Sequence, residues 1–235
     1  MRVLVIDQCS NDKDLPDDCD RLSESEVDNH DLEELLQKDD TVCRRARNLY
    51  DGRQQRLVTE AVDQMTTAEV PVDRYFVSAG FGLVPENQEL PAYNVKFQNN
   101  GHARRRGREM GLPDDVANHV EKSEESDIIF FLLGATYYEA IDVENAVQQA
   151  PEDVYVVVFN RDELVADRSN ALSLTANTKT GSKYGGGAIG VKGTYMKNFA
   201  ANVAAGATVT DITDIESYCT TPPTEQAGFE QFSDP

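Results

Sequence analysis

Ser10 and Lys13 stand three residues apart in Ser10-Asn-Asp-Lys13, the spacing of a serine–lysine catalytic pair in which an amine takes the proton of an attacking hydroxyl. The same short pattern suits an ordinary turn. Asp7, at the tip of the apolar run before it, has the chemistry of a general base or of an acid touching a sugar, and equally that of a turn cap. Gly80-Phe-Gly82 follows a second apolar run, but Pro85 stands where a dinucleotide-binding loop needs its third glycine. The stretch from Lys179 to Gly193 combines glycines, which let a ligand approach the backbone, with Lys183 and Lys192, which supply charge. It is not a P-loop, because Val191 follows Gly190 where lysine is required. A loop closing over a phosphate and a plain surface loop both fit it.

His30, His102 and His119 fall in polar segments, so no Ser–His–Asp triad emerges. Cys9, Cys19, Cys43 and Cys219 lack the two-residue spacing of a zinc knuckle, and the expectation is four reduced thiols, no metal and no cofactor.

These residues must be positioned by alternating strands and helices. Val3–Ile6, Arg74–Ser78, Asp127–Leu133 and Val154–Phe159 read as buried strands. Apolar residues at helical spacing mark a helix over Ala46–Met65, and further helices are expected over 113–122, Glu139–Gln149 and Thr194–Ala205. Unbroken apolar strands separated by helices predict an α/β fold, a mostly parallel central sheet with helices on both faces. The expected organisation is one domain over 1–205, an acidic surface insertion at 11–42, and a polar tail over 206–235. In such sheets ligands bind beyond the carboxyl ends of the strands, which points to Asp7–Lys13, Ser78–Leu83, Gly134–Tyr138 and Asn160–Arg161. The first residues lack a signal-peptide pattern and no apolar run is long enough to span a bilayer, so a cytoplasmic protein without membrane partners is expected.

Charge is the strongest compositional signal. The 235 residues carry 42 Asp+Glu against 22 Lys+Arg, a net charge of −20. Acidic surfaces poor in lysine suit molar salt, where screening over about 3 Å removes most self-repulsion. A halophilic source is expected, archaeal, viral or bacterial; an ordinary acidic protein is the alternative. Three segments nonetheless hold 14 of the 22 cations: 43–56 with Arg44 and Arg45, 95–112 with Arg104, Arg105, Arg106 and Arg108, and 177–199 with Lys183 and Lys192. Contact with a polyanion and intramolecular pairing with the acidic segments both explain such clusters.

Several segments together resemble the DUF6884 family, related to YaaA-like proteins. They are Cys9-Ser10-x-x-Lys13, Leu49-Tyr50-Asp-Gly52, Ser78-Ala-Gly80-Phe-Gly82-Leu-Val-Pro85, Ala92-Tyr93-Asn94, Gly134-Ala-Thr-Tyr137-Tyr138 and Gly190-Val-Lys192-Gly193, in matching order over residues 1–200. A wider group with a similar serine–glycine–proline segment includes domains of archaeosine synthases and looks like a relative of uracil-DNA glycosylases. The resemblance implies work on a nucleic acid or nucleobase, of glycosylase or transglycosylase type. Ser78, Gly80, Gly82 and Gly134 would then shape a base or sugar pocket, Tyr93 and Tyr137 would stack on a flipped base, and Asp7, Ser10, Lys13 and Asn94 would be the candidate reacting groups. Asn94 departs from the family's aspartate, which leaves binding without catalysis as one alternative. A nucleotide-binding protein using 179–193 is another.

Overall fold

A computed structural model of the chain describes residues 1–123, 126–184 and 187–223. Gly185 and Gly186 of the glycine-rich stretch, and residues 224–235 of the expected tail, lie outside the described residues.

The first β-branched run is strand β1 (Val3–Gln8). The segment after it holds two short helices, α1 (Glu24–Asp28) and α2 (Leu32–Leu36), then strand β2 (Cys43–Arg45) and helix α3 (Ala46–Leu49). Helix α4 (Arg53–Thr67) leads to strands β3 (Val72–Ser78), β4 (Gly82–Pro85) and β5 (Glu89–Pro91). Helices α5 (Asn100–Glu109) and α6 (Leu112–Glu121) precede β6 (Ile128–Leu132). Helices α7 (Ala135–Ile141) and α8 (Val143–Gln149) precede β7 (Tyr155–Phe159) and β8 (Ala171–Leu174). The described chain closes with α9 (Thr178–Lys183), α10 (Val191–Ala204) and α11 (Ile212–Thr220).

Six strands form one sheet in the order β4-β3-β1-β6-β7-β8. All neighbours run parallel except β4, which turns back antiparallel on β3. The sheet is covered on both faces, as unbroken apolar strands require. Alternation along each strand decides the partner: Val3, Val5, Phe130 and Val157 pack under α4, α10 and α11. Leu4, Ile6, Phe131 and Val158 pack against helices α5 to α8. From β1 the chain moves outward to β3 on one side, while β6, β7 and β8 extend the sheet on the other. The crossover direction therefore reverses between β1 and β6, and open α/β sheets place their ligands at such a point. No described helix is long and apolar enough to cross a membrane.

Four departures from the sequence reading matter. The helix expected over 46–65 breaks at Tyr50–Gly52, which frees the start of α4 to face the sheet's carboxyl edge. The helix expected over 139–149 is two helices, α7 and α8, joined at Asp142 with φ of 51°. The acidic segment 11–42 is more than a surface loop, since Leu22, Val27 and Leu35 are buried in a third apolar cluster with Phe76 and Tyr93. The segment from 206 is no plain tail: α11 buries Ile215 and Cys219, and Asn198 of α10 donates to Cys219 O at 2.9 Å.

Candidate functional site

At the carboxyl ends of β1 and β6 lies an open cleft of about 870 Å³. One wall is the loop Gln8–Asp12, another the first turn of α4 from Gly52 to Gln55, and the far side is formed by Tyr137, Thr178, Gly187, Ala188 and Gly190. The floor is built from buried amides. Gln54 Nε2 donates to Asp7 Oδ1 and to Leu132 O, both at 2.7 Å, which ties α4 to β1 and β6. Gln8 Oε1 accepts from the Gly134 amide at 2.7 Å, and Gln55 Nε2 donates to Gln8 O at 3.0 Å. The first three amides of α4 have no intrahelical partner, by the geometry of any helix start. Arg53 is exposed beside them, crosses over Gly190, and has no carboxylate partner among the described residues. A side chain at Gly190 would put its Cβ 2.8 Å from Arg53 Nε, so only glycine lets the guanidinium lie there. Among the described residues, Asp12 is the one carboxylate lining the cleft.

Asp7 sits under this floor. Its side chain is wholly buried, with Arg74 Nη2 at 2.6 Å from Oδ2 and Oδ1 accepting from Gln54 and from the Gln8 amide. A carboxylate so enclosed cannot reach a substrate, so the expected acid–base role gives way to a structural one. Arg74, which the sequence placed in a strand without a site role, continues to Thr59 Oγ1 at 2.8 Å. A lone arginine inside the apolar run of β3 was the available signal.

The Ser10–Lys13 pair is not assembled. Lys13 Nζ donates to Ser10 O at 3.1 Å and lies 4.5 Å from the centre of the Tyr93 ring, while Ser10 Oγ accepts from the Asp12 amide at 3.1 Å. Burial lowers the Lys13 pKa. Ser10 lines the cleft with its hydroxyl committed to its own turn.

The turn around Ser78 is filled rather than hollow. Ser78 Oγ accepts from the Gly80 and Phe81 amides at 3.2 and 3.1 Å and bonds Tyr93 Oη at 2.9 Å. Tyr93 Oη also bonds Tyr50 Oη at 2.7 Å, and burial raises the pKa of both phenols. A Cβ at Gly80 would meet the Tyr93 ring at 2.9 Å, and Phe81 stands edge-on to it at 5.0 Å. Gly82 adopts φ of +73°, which opens the β3–β4 turn. Tyr93 is fully buried, so it stacks on no ligand, and Ser78, Gly80 and Gly82 form a core turn in place of the expected pocket. Asn94 is exposed and does not line the cleft.

Tyr137 does line it. Its hydroxyl donates to Cys9 O at 3.2 Å, Cys9 Sγ lies 3.1 Å away, and burial pushes the phenol pKa up. Gly134 caps α7 at the same edge. Lys192 donates to Leu133 O at 2.5 Å, and burial pulls its pKa down to about 8, with Asp7 opposing the shift. Lys183 is exposed on α9.

The arginine cluster of α5 divides. Arg106 is 4% exposed: Nε donates to Ala79 O at 2.5 Å, and Nη1 and Nη2 clasp Asp28 of α1 at 3.1 and 2.7 Å. It anchors the acidic segment and is withdrawn from any polyanion. Arg104 pairs with Glu139, and Arg105 with Glu109 at 3.8 Å. Arg108 is exposed without an ionic partner among the described residues, and Arg44 and Arg45 are exposed on β2. Intramolecular pairing thus accounts for most of this cluster.

Together the sheet order and the cleft define an α/β protein with a ligand-sized opening where the strand order reverses. No family model, curated protein or solved structure matches the chain.

Proposed function

We propose that the chain binds a phosphorylated nucleoside in the β1/β6 cleft, either as a free nucleotide or as part of a nucleic acid. The observation that carries this reading is Arg53. In a chain of net charge −20, it faces an open cleft without a carboxylate partner among the described residues, beside the free amides of the 15-residue α4. Guanidinium and helix-start amides are the usual cradle of a phosphate. Tyr137 offers an apolar edge to a base. The resemblance to DUF6884 and glycosylase-like proteins points the same way. Binding is favoured over base–sugar cleavage because Asp7 is walled off.

Calorimetric titration with AMP, ATP, adenosine and 5′-phosphorylated oligonucleotides tests this. Phosphorylated ligands should saturate, adenosine should not, and Arg53→Gln should weaken binding about 10-fold or more, the value of one charge-assisted contact. Equal binding of adenosine and AMP, or an Arg53→Gln variant that binds as tightly, removes the phosphate from the cleft.

A further inference from the structure

Lys192 is left without a role by phosphate binding at Arg53. It stands second in α10, in the first turn, where the helix dipole disfavours a cation. Its side chain runs inward to Leu133 O, with the Phe159 ring centred 6.0 Å from the nitrogen. No carboxylate among the described residues forms an ion pair with it, and nearby Asp7 is already engaged by Arg74 and Gln54. By contrast, Lys38 and Lys197 pair with Glu26 and Glu60. A part-buried lysine without a counter-charge is less stable as an ammonium than one in water, which favours the free amine. The position adjoins the cleft: Gly190 lines it two residues earlier, and Gln54, which also lines it, holds the carbonyl next to the one Lys192 holds. Asn11 and Thr178 add small polar groups to the same lining, suited to sugar hydroxyls.

We propose that Lys192 is a nucleophile that condenses with the carbonyl of a phosphorylated sugar bound in the cleft. The inference rests on the phosphate reading above and adds the substrate class. The Nζ lone pair attacks the carbonyl carbon, and a proton from nitrogen passes to the carbonyl oxygen. The resulting carbinolamine loses water to give an imine, and hydrolysis reverses both steps, so no oxidant or reductant takes part. A free sugar phosphate and an abasic site in a nucleic acid present the same open-chain carbonyl and phosphate.

The full chain is incubated with ribose 5-phosphate, or with an oligonucleotide carrying one abasic site, in the presence of cyanoborohydride, and its peptides are mapped by mass. The expected result is a single reduced adduct on Lys192, formed faster as pH rises through about 8 and suppressed by inorganic phosphate. Lys192→Arg, which keeps the charge but forms no imine, should lose the adduct. An adduct with the sugar phosphate alone assigns the site to free metabolites, and one with the oligonucleotide alone to nucleic acid. Adducts confined to Lys13 or to surface lysines overturn the assignment, as does binding of ribitol 5-phosphate by the wild type without any adduct to ribose 5-phosphate or to the abasic oligonucleotide. If ribitol 5-phosphate itself fails to bind, the phosphate reading fails instead. The wild-type peptide map decides the matter even if Lys192→Arg does not fold.

Discussion

The turn at Ser78–Tyr93 and the cleft at Gly52–Gly190 use the same materials to opposite ends. Each has glycines that allow close approach, a basic residue from a positively charged segment, and tyrosine hydroxyls near a strand end. At the turn, the space beside Gly80 is occupied by Tyr93, and Arg106 is committed to Ala79 O and Asp28. At the cleft, the atoms nearest the open side of Gly190 belong to the Arg53 side chain, whose charge has no ionic partner among the described residues. Glycine and arginine mark close approach and charge; what fills the approach decides whether a place is core or site. The acidic segment makes the difference here, because α1 supplies Asp28 and Leu22 pairs with the backbone at Ala92, closing the turn from outside.

The comparison breaks most sharply at Arg106. Arg106→Ala removes the donor to buried Ala79 O and the clasp on Asp28, and should cost about 2–3 kcal/mol. Chemical denaturation reads this loss, while nucleotide affinity of the folded fraction should be unchanged. A stable variant that binds poorly would move Arg106 from the core to the site. Gly80→Ala should cost about 1–3 kcal/mol, because the added methyl overlaps the Tyr93 ring; an unchanged melting temperature would mean that the turn is loosely packed.

Lys192 sharpens the cleft side. Its folded pKa of about 8 lies below the 10.5 of the free amine. Between these values the unfolded chain binds more protons, so this residue makes stability rise with pH from about 8 towards 10.5, and is least favourable below 8. Against Lys192→Met, which cannot titrate, wild-type unfolding free energy should gain about 1–2 kcal/mol between pH 8 and 10. Parallel pH profiles would place the amine in water. The smallest effect belongs to Arg105→Gln. Its pair with Glu109 is exposed, so stability should change by less than about 1 kcal/mol. A larger drop, followed by thermal melting in low and molar KCl, would show surface pairing to matter more in this acidic chain than its exposure implies.

Much of the fold was legible because its signals are local. The apolar runs of β1, β6 and β7 announce strands buried on both faces, and alternation with helices implies a parallel sheet. Elements without a strong apolar pattern were missed: β8 has three half-buried residues of four, and α5 is so basic that it reads as a charged loop. The cleft was legible in part. Ser10, Tyr137 and Gly134 come together at the edge where strand ends were expected to gather ligands, with Lys192 beside them. Arg53, Gln54 and Gln55 had no role from the sequence; the signal for the two amides was that they carry the α4 stripe of Val58, Val62 and Met65 one turn further back, a polar end to an apolar face.

By itself the sequence determined the layers, the strand faces and the excess of negative charge, since these depend on residue type and near-neighbour spacing. Only the tertiary structure decided which glycine faces a ring and which a cleft, and which arginine finds a carboxylate. Asp28 and Arg106 lie 78 positions apart and Asp7 and Arg74 lie 67 apart, so nothing along the chain connects them. Their pairing is set by how the sheet and the acidic segment close on each other, and once those cations are neutralised, Arg53 is left in the cleft lining, with Lys192 held behind it on Leu133 O.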